Sequence, residues 1–182
     1  ASTISRFGTA TEANRARARY GYSDGVLAMF RGELTLGYLT DESDILIKNG
    51  RFENLDSTSA YDMSDYTTSN ITLASTSTYV KNGDRGATLT ATADGGYIEQ
   101  TINSPTLFQS KKLFAHCYLR RISGSGNATL QIIDSAGTTS ATAITETSAF
   151  TGAVTSRTID GSASYIKVRI LLSKSGDVFA LD

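Results

Sequence analysis

From Ser43 to the last residue, apolar and polar positions alternate in short runs. Within 87–92, Ala87, Leu89 and Ala91 fall on one side of an extended chain and Thr88, Thr90 and Thr92 on the other. Within 165–171, Ile166, Val168 and Ile170 oppose Tyr165, Lys167, Arg169 and Leu171. A period of two marks a strand with one buried face. The pattern predicts strands at 44–48, 71–74, 78–80, 87–92, 97–102, 112–121, 128–133, 141–147, 154–159, 164–172 and 178–181. Turn signals separate them: Asn82-Gly83-Asp84, Asp94-Gly95-Gly96, Ser123-Gly124-Ser125-Gly126-Asn127, Ser135-Ala136-Gly137 and Asp160-Gly161-Ser162. The polar stretch 56–70 is expected to be a long loop. Short alternating strands with frequent turns predict an all-β fold, a jelly-roll-like antiparallel β-sandwich.

Residues 1–42 read differently. The stretch TEANRARARY, 11–20, is the one plausible helical segment, but its apolar face is narrow and helices this short are marginal in water. As extended chain it would point Arg15, Arg17 and Arg19 to one side. Gly21, Gly25, Gly32 and Gly37 interrupt the apolar residues that follow. The expected organisation is an extended N-terminal arm over 1–42, ordered by contact with a partner, and a sandwich domain over 43–182.

Composition narrows the function classes. Ser and Thr make up 47 of the 182 residues against a single proline, which favours strands over helices. The net charge of −1 argues against nucleic acid or an anionic membrane as the main partner. No run of 18 apolar residues is present to span a membrane, and no basic and then apolar leader opens the chain. One cysteine, Cys117, excludes an internal disulfide, and one histidine, His116, excludes most zinc sites.

His116 and Cys117 are adjacent, so in a strand they point to opposite faces and cannot act as a base and nucleophile pair. Cys117 is expected in the core, with His116 at a surface or interface beside Phe114 and Tyr118. Asp56, Asp62 and Asp65 lack the spacing of a helix-loop-helix calcium site. The glycine-rich stretches at 83–86 and 123–126 read as hairpin turns, since neither leads from a strand into a helix. No set of acid, base and nucleophile emerges, and the chain is expected not to be an enzyme.

The run Ile47-Lys48-Asn49-Gly50-Arg51-Phe52-Glu53 resembles the entry of carbohydrate-binding-module-like jelly rolls, which open on a strand and an Asn-Gly-x-Phe-Glu type motif. Gly86-Ala87-Thr88-Leu89-Thr90, Tyr97-Ile98-Glu99-Gln100 and 113–121 are similar to later strands of that family. Gly176-Asp177-Val178-Phe179-Ala180-Leu181-Asp182 resembles its closing strand. The resemblance covers about 44–182. It implies the fold, and it implies a structural calcium near Glu53 and Asp182, which would be its ligands. Sugar-binding members stack sugars on Trp and Tyr. This chain has no Trp but carries Tyr61, Tyr66, Tyr79, Tyr97, Tyr118 and Tyr165. A jelly roll behind an arm also resembles virion proteins of tailed phages.

On these grounds the leading expectation is a structural virion protein, a phage capsid decoration or cement protein assembled in the host cytoplasm. Its arm residues Arg15, Arg17, Arg19, Tyr20, Val26, Leu27, Met29 and Phe30 would bind the major capsid protein or other virion subunits. Arginines can fork onto carboxylates, and the neighbouring apolar groups gain by burial. A closed homotrimer is the expected oligomer. The alternative is a glycan-binding module of a tail or fibre protein, which predicts exposed tyrosines along one concave face.

Overall fold

The computed structural model describes residues 35–38, 44–45, 47, 66–81 and 85–182. Twelve strands and one short 3-10 turn, Pro105–Phe108, make up the regular structure among them. The strands are β1 Thr35–Tyr38, β2 Asp44–Ile45, β3 Thr67–Ser69, β4 Ile71–Thr76, β5 Gly86–Ala91, β6 Gly96–Thr101, β7 Lys112–Ser123, β8 Ala128–Asp134, β9 Gly137–Ser140, β10 Thr151–Thr158, β11 Ile166–Leu172 and β12 Val178–Leu181. They form two antiparallel sheets. One has the order β2-β1-β7-β12-β5-β4 with β10 also paired to β7, and the other has the order β3-β6-β11-β8-β9. The expected all-β sandwich is the observed fold.

The alternation explains the layering. Ala87, Leu89 and Ala91 on β5, Leu113, Ala115, Cys117 and Leu119 on β7, and Phe179 and Leu181 on β12 point inward. They meet Ile98 on β6, Leu130 and Ile132 on β8, and Ile166, Val168, Ile170 and Leu172 on β11. Burying each large side chain contributes about 1.5–3 kcal/mol. The chain passes repeatedly from one sheet to the other, so each consecutive crossing ties the layers together.

Strand β7 organises the larger sheet. β10 pairs along 112–119, β1 at 114–116 and β12 at 119–123. A strand has two edges, so β12 and β1 lie end to end on the edge opposite β10. Asp182 sits at that junction and exchanges backbone hydrogen bonds with Tyr118, at 2.8 and 3.0 Å. β1 falls inside the expected arm, yet its backbone belongs to this sheet.

Several local expectations are corrected. Residues 78–80 are not a strand: Thr76 Oγ1 accepts from the amides of Thr78 and Tyr79 and turns the chain away. The strand expected at 141–147 is replaced by β9 at Gly137–Ser140, with only an isolated bridge from Ala128 to Ile144 beyond it. The Asp134 carboxylate accepts from the amides of Ala136 and Gly137 and closes the expected turn at 135–137, from which the chain pairs back at once. β3 forms inside the expected loop, as a short polar edge strand with no apolar alternation to announce it. The 123–126 turn carries the chain between sheets instead of closing a hairpin. There the buried Asp177 accepts from the Gly126 amide at 2.9 Å, and a Cβ on Gly126 would collide with the Asp177 carboxylate.

Candidate functional site

The outward face of the larger sheet gathers aromatic and cationic groups on its central strand. Outward-pointing positions of β7 are Phe114, His116, Tyr118 and Arg120, the residues alternating with its core set. On β10 the outward positions opposite Tyr118 and His116 are Gly152 and Val154, the latter 48% exposed. On the other side, Arg120 faces Ala180, which faces Thr88, which faces Ala74. Gly152 therefore flanks Tyr118 on one side, while on the other its neighbour across the ladder is Asp182, 2% exposed. A Cβ on Gly152 would stand 3.3 Å from His116 Nε2 and 3.5 Å from the Tyr118 ring, so glycine there keeps that flank clear.

The rings carry cations. Lys81 Nζ lies 4.3 Å from the Tyr118 ring centre, Arg120 5.4 Å from that of Tyr79, and Lys112 5.2 Å from that of Phe114. His116 meets Tyr118 edge to face at 4.7 Å. The sequence suggested a surface or interface position; His116 lies on the outward face but is only 7% exposed, and its Nδ1 has no hydrogen-bond partner among the described residues. Burial, reinforced by the nearby Lys81 charge, holds its pKa below the usual range, so it is neutral at pH 7.

The outer face of the second sheet is built otherwise. Glu99, 4% exposed, accepts from Lys167 Nζ at 2.7 Å and from Arg169 at 2.6 and 2.9 Å, and Arg169 stacks 3.9 Å from the Tyr97 ring centre. Burial alone would raise the Glu99 pKa, but the hydrogen bonds and charges of Lys167 and Arg169 outweigh it and hold it low. Both cations are thus paired with the one carboxylate.

The described tyrosines do not line one face. Tyr79 and Tyr118 accompany the larger sheet, Tyr97 and Tyr165 the smaller one, and Tyr66 packs against the core. Tyr61 lies outside the described residues, as do Arg15, Arg17, Arg19, Tyr20, Val26, Leu27, Met29, Phe30 and Glu53. Asp182 is described and is 2% exposed, and its Oδ2 accepts from the Lys81 amide at 2.7 Å. Among the described residues, no group of three or more His, Cys, Asp or Glu side chains is placed to hold a metal ion. Cys117 is fully buried and desolvation pushes its thiol far up, so it offers no nucleophile. The sequence singled out neither Lys81 nor Gly152, because contacts over long separations bring them to Tyr118: β10 pairing for Gly152, and for Lys81 the bond of its amide to Asp182.

No protein-family model and no curated protein matches the chain. Solved structures do. One is the C-terminal family 22 carbohydrate-binding module of Clostridium thermocellum Xyn10B, with a TM-score of 0.56 at 13% identity, covering 72% of this chain and 86% of that one. Another is TmCBM61, solved with β-1,4-galactotriose, with a TM-score of 0.52 at 15% identity, covering 75% and 93%. A third is the enzymatically active domain of tailspike protein 4 from bacteriophage CBA120, with a TM-score of 0.52 at 14% identity, covering 75% of this chain and 20% of that one. At these identities the likeness is one of fold: the chain has the jelly-roll sandwich found in carbohydrate-binding modules.

Proposed function

We propose that this domain binds a glycan, without turning it over, on the outward face of the larger sheet. The observation that carries the reading is the β7 row, where the half-buried Tyr118 stands beside Gly152 with hydrogen-bonding groups around it. An aromatic ring offers a sugar an apolar platform, and Lys81, Arg120 and the hydroxyl of Tyr118 supply directional donors. The fold likeness to carbohydrate-binding modules, one of them solved with a galactotriose, supports the reading. Attachment to a phage particle through the arm has one fold likeness behind it, the tailspike domain, and the arm residues expected to bind lie outside the described residues.

The test is retention of the protein on a panel of immobilised polysaccharides, followed by titration calorimetry on the best ligand. Tyr118→Ala is expected to weaken binding at least tenfold, about 1.4 kcal/mol, with an unchanged melting temperature. Retention on no polysaccharide would remove the reading. Full affinity in Tyr118→Ala would move the site off this face.

A further inference from the structure

We infer that the glycan taken by this face is an acidic one, a polysaccharide bearing carboxylates; the inference rests on the glycan-binding reading above. The chain has a net charge of −1, so a basic face here is a local arrangement and not a general property. On the smaller sheet the cations Lys167 and Arg169 are both paired with Glu99. On the larger sheet Lys81, Lys112 and Arg120 form no ion pair with a carboxylate among the described residues, and what they contact instead are the rings of Tyr118, Phe114 and Tyr79.

The acids nearby are already engaged. Asp182 is buried and its Oδ2 accepts the Lys81 amide. Glu146, whose charge is felt by Arg120, takes hydrogen bonds from the amides of Thr147 and Ser148 and from the Ser148 hydroxyl. Arg120 spends its Nε on the Thr147 carbonyl at 2.9 Å, and its two terminal nitrogens have no partner among the described residues. A guanidinium in that state presents a fork suited to a carboxylate.

The position of Lys81 separates acidic from neutral sugars. Its ammonium lies over Tyr118, the ring best placed for stacking. A neutral sugar that stacks there displaces the ammonium and returns nothing of equal strength. An acidic sugar offers its carboxylate to the displaced ammonium while its ring takes the vacated face. Lys81 is itself exposed, and a cation resting on a ring at an exposed site is held weakly enough for that exchange.

Calorimetry on the full chain at low salt would compare polygalacturonate with neutral galactan and xylan, with DNA and dextran sulfate as non-uronate polyanions. The expected result is at least tenfold tighter binding of polygalacturonate than of either neutral polysaccharide. Lys81→Gln and Arg120→Gln should each reduce that preference about fivefold without lowering the melting temperature, and Tyr118→Ala should weaken binding of the acidic glycan. Equal or tighter binding of galactan or xylan, unchanged in Lys81→Gln, would overturn the inference and leave the glycan reading standing. Failure of all glycans to bind would remove both. DNA or dextran sulfate binding as tightly as polygalacturonate, with no loss in Tyr118→Ala, would mean general polyanion attraction and overturn the inference.

Discussion

Asp134 shows how much one carboxylate can organise. It points inward from β8 with a fully buried side chain, and it accepts from Arg157 Nε and a terminal Arg157 nitrogen at 2.8 and 2.7 Å. The amides of Ala136, Gly137 and Asp160 complete its shell. Arg157 belongs to β10, so the pair ties one sheet to the other at the side of the sandwich. Hydrogen bonds from Arg157 are the main cause that holds the Asp134 pKa down at about 2, against 3.8 for a free carboxyl. A depressed folded-state pKa stabilises the protein above the unfolded value, and that stability is lost as pH falls from about 4 towards 2. The contribution is about 2 kcal/mol. Thermal unfolding followed by circular dichroism should therefore show a melting temperature that drops through that window, and Asp134→Asn should flatten the drop. Arg157→Ala, which leaves the carboxylate buried and alone, is expected to cost about 3 kcal/mol at pH 7.

At the scale of elements, β1 is informative because it lies within the segment expected to be an arm. Its backbone pairs with β7 at 114–116, beside the end of β12. Deleting residues 1–34 keeps this strand, and deleting 1–42 removes it. The second deletion should melt lower than the first by about 6 °C, since roughly 2 kcal/mol of edge hydrogen bonding is lost. Equal melting temperatures would mean that the pairing adds nothing. The strands that were legible in the sequence, such as β5 and β11, are those buried on one side only, where the core imposes a period of two. β3 was missed because an edge strand with exposed threonines imposes no such period. β9 was missed, although the turn before it was expected, because Gly137-Thr138-Thr139-Ser140 carries no apolar residue to alternate. The candidate site was half legible for the same reason. Alternation put Phe114, His116 and Tyr118 on one face, but the contacts that bring Gly152 and Lys81 to Tyr118 join residues more than 30 positions apart.

For the whole molecule, the two outer faces of one sandwich differ in electrostatic character. One closes its charges into a network around Glu99, while the other leaves its cations resting on aromatic rings. A shared core holds both faces at fixed positions on opposite sides of the domain, so ligand bound to one need not disturb the other.

The place of β12 has a consequence during synthesis. This strand fills the middle of the larger sheet, between β5 and β7, yet it is the last of the strands to be made. Until residues 178–181 leave the ribosome, β5 and β7 each hold an unpaired edge and the core lacks Phe179 and Leu181. A nascent sandwich is thus sticky until this strand has been made. A chain arrested before Val178 is expected to pellet or to be held by chaperones, while one carrying a flexible extension after Asp182 should be released soluble. Fractionating stalled ribosome complexes of the two lengths would measure the difference. Nascent-chain protection, more than the stability of the finished sandwich, would then set how much of this protein a cell can accumulate.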